Sequence, residues 1–579
     1  MTARTAAWLA VYALERMGVR HTFGIPGVHN TELYDELARS ELITPVLVAH
    51  EGGAAFMADA ISRTGRELGT LVVVPAAGLT HAASGIAEAF LDGIPMLVIS
   101  GGIRRDTGRA YQLHDMDQHA MLRPITKKTW LVRSHADVVP TLFEAYRVAH
   151  EGVPGPVFVE IPVDLQITTG EPGPLPELPP TIERRCVAPA SEITRAAALL
   201  RTAKRPGIFC GWGAIDAPDE LRAIAEQLGA PVAVTLQGLS AFSAAHPLHA
   251  GFGLGPSAVP AVQKAFEDCD ALLAVGVRFA EIPTGSFGYT PPKDLVHVDI
   301  DKRVFDANYP ARVALEGDAR AVLSALSKEL AAGCEGAQRR SDVEQIIAHE
   351  KKRYLASWHA HDTNGRVSPA RFFESLRKHI PDEAIVVADD GNHTFLAAEL
   401  MPIHKPRAFF SPSDFNCMGY CVPAVIGAKL VCPDKIVVGI VGDGALRMTG
   451  LELLTASANH VGAAFFVFDD GELAQIAQAQ ETPYNRKTCS VLAPLDTSAL
   501  ARATGVQHIT IHNDAELDAA IARAIEISNA SRPVLVDVRV DYSKRTQFTE
   551  GAIATNLRRM DLRTKARFVS RAVLRKITG

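Results

Sequence analysis

Cysteine is scarce in this chain. The eight among 579 residues (Cys186, Cys210, Cys269, Cys334, Cys417, Cys421, Cys432 and Cys489) form no Cys-x-x-Cys pair. A disulfide framework is excluded, and a reducing, cytoplasmic compartment fits best. Cys417 and Cys421 stand four apart with no second Cys or His pair close by in sequence, so they read as small core residues, not zinc ligands. An excess of one charge is also lacking. Lys and Arg number 59 against 65 Asp and Glu, and the net charge of −6 supplies no field for a nucleic-acid partner. Unbroken apolar runs are missing too. The stretch 227–263 holds no charged residue but is broken by Pro231, Gly238, Pro247, Gly251, Gly253, Gly255 and Pro256, and 68–87 is interrupted by Pro75, Gly78 and Gly85. Neither can form a membrane-spanning helix. The first 18 residues carry Arg4 and a helix-like pattern instead of the tripartite plan of a secretion signal.

What is present describes an ordinary globular protein: 47% hydrophobic residues, 21% charged residues and 44 glycines, in a length that suits roughly three to five domains. A proline run at 171–185 (Pro172, Pro174, Pro176, Pro179 and Pro180) reads as an extended linker, and the polar stretch 333–366 ends before Ser368-Pro369, a helix-start pair. The expected units are 1–170, a linker at 171–190, 191–345, 366–545 and a tail at 546–579. Within each unit, short β-branched runs alternate with amphipathic helical stretches: TLVVV and MLVISG in the first, GIFCGW and ALLAVG in the second, KIVVGIV and AAFFVF in the third. The expected fold is α/β, with three doubly wound parallel-sheet domains and a basic helical tail. TLVVVPAAGLTHAASGIAEAF and KIVVGIVGDGALRMTGLELLTA both run from a buried strand through a small-residue turn into a helix, which implies two related, ligand-facing domains.

The turn Gly442-Asp443-Gly444-Ala445 follows the strand-like run KIVVGIV, with a helix expected around 449–457. Glycines there let backbone N–H groups approach an anion, and a helix N-terminus favours phosphate. A second acidic turn, Asp469-Asp470-Gly471-Glu472, closes the next strand, and the 27 residues from Asp443 to Asp470 span one helix and one strand. Both turns should leave the same sheet edge with their carboxylates side by side. Such a pair repels unless a proton or cation intervenes, and oxygen ligands beside a phosphate-receptive turn suit Mg²⁺, with Ca²⁺ also chemically allowed.

The segment GDGALRMTGLELLTASANHVGAAFFVFDDGEL resembles the cofactor signature of thiamine-diphosphate enzymes. The resemblance extends over nearly the whole chain to the acetolactate synthase-like superfamily, which includes pyruvate oxidases, benzaldehyde lyase and 2-hydroxyacyl-CoA lyases. FGIPGVHNTELYDEL and VLVAHEGGAAFMADAISRTG are similar to its pyrimidine-binding domain, LVHVDIDKRVFDAN to its central domain, and SDFNCMGYCVPAVIGAKLVCPDKIVVGIVGDG to its pyrophosphate-binding domain. The resemblance implies a thiamine-diphosphate- and Mg²⁺-dependent enzyme that decarboxylates a 2-oxo acid such as pyruvate and transfers the acyl unit to an acceptor carbonyl. The alternatives are a lyase of benzaldehyde lyase type, acting on an acyloin or 2-hydroxyacyl compound, and a non-catalytic thiamine-diphosphate-binding regulatory protein. Active sites would lie between subunits of a homodimer or homotetramer.

Matched position by position, the resemblance puts Glu51 on the activating glutamate, whose carboxylate at the aminopyrimidine favours the tautomer that accepts the thiazolium C2 proton. Met418 falls on the apolar wedge that bends thiamine, Asn416 on a residue whose carbonyl accepts from the 4′-amino group, and Asn392 and His393 on a diphosphate-contacting loop. Gly442, Asp443, Gly444 and Ala445 form the diphosphate turn, and Asp443, Asp470 and the Glu472 carbonyl are the implied metal ligands. Gln112 matches a glutamine of the substrate pocket, and His29 a histidine of benzaldehyde lyase-like members that could shuttle a proton. Several departures stand out. Asp469-Asp470 replaces an Asn-Asn or Asn-Asp pair and adds negative charge near the metal. Ala76-Ala77-Gly78-Leu79-Thr80-His81 replaces Gly-Pro-Gly-x-Thr-Asn, which stiffens the loop and directs His81 toward the reacting carbon. Asn416 replaces a common glycine. Gly211-Trp212-Gly213 lacks a third glycine, so FAD is not predicted in the central domain, although some superfamily members bind FAD or ADP there. The tail carries eight Lys or Arg and one acid over 558–576, with Leu562, Ala566, Val569 and Val573 on one stripe. It is expected to dock on the protein over the active-site mouth, membrane association being the less favoured alternative.

Overall fold

The computed structural model describes residues 2–173, 175–178, 188–331 and 336–578. Pro174, Pro179, Pro180 and Cys186 of the expected linker, and Cys334, lie outside the described residues. Three six-stranded sheets form, each with only parallel pairings. Across the first sheet the strands run Thr44–Leu47, His21–Gly24, Gly69–Val73, Met96–Gly102, Pro156–Pro162, Thr129–Leu131. The third sheet repeats that order with Phe409–Phe410, Ile385–Ala388, Val437–Gly442, Ala464–Phe468, Val534–Val538 and Gln507–Ile511. Numbered by chain position within each sheet, both read 2-1-3-4-6-5, whereas the middle sheet, built on Pro206–Cys210, reads 3-2-1-4-5-6. The first and third sheets are thus topological twins, as the two matching strand-turn-helix blocks imply.

The central strands are nearly continuous apolar runs because helices cover both sheet faces. All of Gly69–Val73, Met96–Gly102 and Ala464–Phe468 is buried. Parallel pairing sends every strand's carboxyl end to one edge, and the register Gly442↔Phe468 brings Asp443 out beside Asp469. The helix after the Gly-Asp-Gly turn begins earlier than expected. It spans Asp443–Thr449, turns through a 3₁₀ segment at Gly450–Glu452 and resumes at Leu453–Ala458. The break has a local cause, since Thr449 leaves helical geometry at φ −130° and its hydroxyl donates to the Gly419 carbonyl at 2.8 Å.

The first and third domains are joined by buried charge. Arg63, near the end of helix Glu51–Thr64, is 1% exposed, and its guanidinium meets Asp59 at 2.5 Å and Asp92 at 2.7 Å. Tyr420 of the third domain donates to Asp59 at 2.7 Å. Asp92 and the neighbouring Glu88 accept backbone N–H groups from Asp414, Ser413 and Cys417. Burial first, then the charge of Asp92, pushes the Glu88 carboxyl up to about 9, so it stays protonated at neutral pH. The tail forms two helices. Gln547–Arg559 leans on the middle domain, where Asn556 bonds Ser286, and Phe548 stacks on Phe395 of the third domain at 4.0 Å. Leu562–Thr578 docks on helix Ala474–Tyr484 through Arg571, 4.6 Å over the Tyr484 ring, and through Arg575, which donates to the Tyr484 carbonyl. The expected stripe is not the docked face, since Leu562 and Val573 are exposed; the Val569 side chain lies outside the described residues. Among the described residues no helix is long and apolar enough to cross a membrane.

Arg63→Ala should lower the unfolding free energy by about 3–5 kcal/mol, because Asp59 and Asp92 would keep their burial and lose their counter-charge. Calorimetry checks this, and a melting temperature equal to that of the parent protein would remove the cluster from the account.

Candidate active site

At the carboxyl edge of the third sheet, Asp443 sits at the start of its helix, 5% exposed, with Oδ1 accepting from Gly444 N at 2.9 Å and Oδ2 from Gly471 N at 3.2 Å. Asp470 accepts from the Glu472 N–H at 3.3 Å. Burial, then the charges of Asp470 and Asp469, pushes the Asp443 carboxyl up to about 7. Burial, then Glu472 and Asp469, pushes Asp470 to about 6. Facing carboxylates whose proton affinities are raised in this way form a donor set suited to a hard divalent cation. Asp469 behaves differently from its neighbour. It pairs with Arg539, which also holds Asp537 at 2.9 Å, so the extra negative charge expected beside the metal is matched by a cation. The Glu472 side chain turns to Lys487 at 2.7 Å, which is compatible with the expected use of its backbone carbonyl alone.

His393 lies in the first turn of helix Asn392–Leu400, and its Nε2 is buried without a hydrogen-bond partner. Burial pushes the imidazole down to about 3, so it is neutral. The ring rests against Gly442, where a Cβ would stand 2.8 Å from it. An orphaned ring nitrogen and a bare glycine at a helix start form a cradle that fits a phosphate oxygen. Asp389 holds the neighbouring loop by accepting from Gly419 and Cys421 N–H groups at 2.8 Å each. That loop carries Asn416 and Met418. Asn416 adopts φ +64°, the left-handed conformation that asparagine tolerates better than other side chains, so it supplies the geometry of the glycine it replaces. Its side chain lies near Asp390 and favours the charged form of that carboxyl, against the effect of burial. The Met418 methyl would stand 3.5 Å from a Cβ built on Gly444, so it lies beside the diphosphate turn.

On the first sheet's edge, Glu51 opens helix Glu51–Thr64 and is 6% exposed. Its Oε2 meets His81 Nδ1 at 2.9 Å, and a side chain at Gly78 would lie 3.3 Å from Oε1. His81 therefore engages the glutamate. His50, which caps the helix by accepting from Gly52 N, stacks on His81 with centroids 4.7 Å apart. The stiffened loop is strained where the resemblance has glycine: Ala76 adopts φ +53°, and its N–H is held by Gln118 Oε1 at 3.1 Å. His29 meets His114 edge to face at 5.1 Å and has a buried, unpartnered Nδ1. Gln112 is not brought to these groups by any hydrogen bond, since its amide donates to the Arg104 and Arg109 carbonyls of its own loop.

Sequence reasoning missed His50, His114, Gln118, Arg539 and Asp389. Of these, His50 alone carried a local signal, standing directly before Glu51. In the middle sheet, Gly211 and Gly213 serve a close backbone crossing, since a Cβ on Gly211 would meet the Gly276 oxygen at 2.4 Å. Two adjoining cavities of about 680 and 540 Å³ flank that crossing, both lined by Trp212 and Asp299. Cys421 is buried and Cys417 half-buried, both as free thiols.

Twin sheets that carry a buried glutamate at the carboxyl edge of one and a paired-aspartate phosphate cradle at the carboxyl edge of the other define a thiamine pyrophosphate enzyme. Family models agree in chain order: the N-terminal thiamine pyrophosphate-binding domain matches residues 4–121, the central domain 193–326 and the C-terminal thiamine pyrophosphate-binding domain 389–538. The chain is 30% identical over 547 residues to the acetolactate synthase isozyme 1 large subunit of Escherichia coli, covering 93% of this chain and 95% of that protein. It is 31% identical to the isozyme 3 large subunit of the same organism (94% and 96% covered) and 32% identical to the acetolactate synthase large subunit of Corynebacterium glutamicum (92% and 86%). The chain belongs to the acetolactate synthase-like thiamine pyrophosphate enzymes.

Proposed function

We propose that this enzyme decarboxylates a small 2-oxo acid such as pyruvate and transfers the acyl unit to an acceptor carbonyl, using thiamine diphosphate and Mg²⁺. The observation that carries this reading is that Glu51 and the Asp443/Asp470 pair stand on equivalent carboxyl edges of twin sheets. Bound thiamine diphosphate supplies a carbon nucleophile and an electron sink for the charge released by decarboxylation. Asp443, Asp470 and the Glu472 carbonyl would hold the metal, and Gly442, Gly444, Ala445, Asn392 and His393 the diphosphate. Met418 and the Asn416 carbonyl would support the bent cofactor between its two ends. Glu51 would exchange a proton with the aminopyrimidine through Oε1, while His81 on Oε2 fixes the carboxylate's orientation. Val28 and Leu47 on the first sheet's edge and Met448 and Leu451 beyond the Gly-Asp-Gly turn are more than 60% exposed. Mutual covering of these apolar groups favours a homodimer or a homotetramer built from it.

The His29–His114 contact favours a second reading, acyloin or 2-hydroxyacyl cleavage, because two adjacent imidazoles can shuttle the carbinol proton. Incubation with pyruvate should release CO₂. Aldehyde from benzoin or acetoin, with no CO₂ from any 2-oxo acid, would replace the first reading by the second.

Glu51→Gln should still bind thiamine diphosphate while exchange of its C2 proton falls by roughly 100-fold or more. Unchanged exchange, measured by NMR after acid quench, would sink the assignment of Glu51. Magnesium affinity should also depend on pH. Carboxyls raised to about 7 and about 6 must lose their protons to bind a cation, so affinity rises with pH. The Mg²⁺ dissociation constant should be roughly 100-fold weaker at pH 5.5 than at pH 7.5. A flat profile by titration calorimetry would remove Asp443 and Asp470 as ligands.

A further inference from the structure

We infer that Glu452, a third-domain residue, is a positioning residue for Glu51, holding the entry to the first-domain helix on which Glu51 stands. Glu452 ends the 3₁₀ turn Gly450–Glu452 and is 1% exposed. Its Oε2 accepts from Ala49 N at 3.2 Å, and its Oε1 accepts from His50 N at 3.0 Å. These N–H groups belong to the two residues immediately before Glu51, so the carboxylate of one domain fixes the backbone from which the other domain's glutamate projects. Two further contacts keep Glu452 from swinging away. Thr455 Oγ1 donates to Oε2 at 2.7 Å, and the helix backbone at Gly53 packs so closely that a Cβ there would stand 2.2 Å from Oε1.

The arrangement is costly for a merely structural contact. Burial raises the Glu452 carboxyl's proton affinity; the hydrogen bonds from Thr455, Ala49 and His50 offset part of that rise, the nearby Glu51 charge adds to it, and no cation is among its direct contacts. A local rule broken without an evident gain in stability is typical of functional surroundings. Glu452 also lies on the continuous segment that starts at Asp443, so the diphosphate turn and the Glu51 helix are mechanically joined within one chain. This inference rests on the assignment of Glu51 above.

The test compares C2-proton exchange in the holoenzyme for Glu452→Ala, Glu452→Gln, Glu51→Gln and the double variant Glu51→Gln/Glu452→Ala. Glu452→Ala should lose about 10–100-fold in exchange rate, the scale of a small misplacement of a catalytic group. Glu452→Gln, which keeps one acceptor oxygen, should lose less. Thiamine diphosphate affinity should stay within about threefold, and the double variant should be no slower than Glu51→Gln, because a residue acting through Glu51 has nothing left to position. Parent-like exchange in folded Glu452→Ala overturns the inference, as does an equal fold-loss when Glu452→Ala is added to Glu51→Gln. If Glu452→Ala does not fold by circular dichroism, parent-like exchange in Glu452→Gln overturns it. Unchanged exchange in Glu51→Gln alone would sink the functional reading, a result distinct from these.

Discussion

The buried guanidinium of Arg63 is the interaction on which the rest depends. It joins two acids from separate helices of the first domain, Asp59 and Asp92, under a tyrosine from the third. Removing a full positive charge and two carboxylates from water is unfavourable unless their geometry is held closely, and here it is held by secondary structure on both sides. Asp92 and Glu88 in turn hold the backbone of residues 413–417, the approach to Met418. One charge cluster therefore ties the twin domains together and holds the approach to Met418, which lies beside the diphosphate turn.

From that fixed relation the site follows by topology. Parallel strands end on a common edge, and adjacent crossovers place chemically distant turns next to each other. The first sheet contributes an acid whose second oxygen is engaged by an imidazole, and the third contributes two acids poised near neutrality. The same helix, Glu51–Thr64, bears the glutamate in its first turn and Arg63 in its last. At 1.5 Å per residue it is a rod about 20 Å long, and nearly all of it is buried. Chemistry and domain docking are thus two ends of one rigid element.

Much of this was legible in the amino-acid order. Long apolar strands announced the three sheets, and the spacing of Asp443 and Asp470 was enough to predict their adjacency. Short strands were harder to see. Gln507–Ile511 alternates polar residues and Phe409–Phe410 is two residues long, so neither stands out from loop sequence. Long-range pairing left no local signal at all: His81 reaches Glu51 across 30 residues, and Arg539 reaches Asp469 across 70 because strands 4 and 6 of the third sheet are neighbours. Asn416 was a different case, because its residue type already signals a left-handed turn. For the tail, charge pattern indicated docking but not which face docks; arginines over Tyr484 prevailed where an apolar stripe was expected.

The Asp469–Arg539 pair has a consequence for how this site changes over time. The aspartate that the resemblance puts on an asparagine position would by itself add negative charge to the metal edge, and Arg539 is the cation that meets it. Arg539 answers the added charge while also holding Asp537, so the aspartate is tolerable only in the presence of the arginine. A chain with asparagine at the first position would still give this arginine a partner in Asp537, so the arginine can precede the aspartate while the aspartate depends on the arginine.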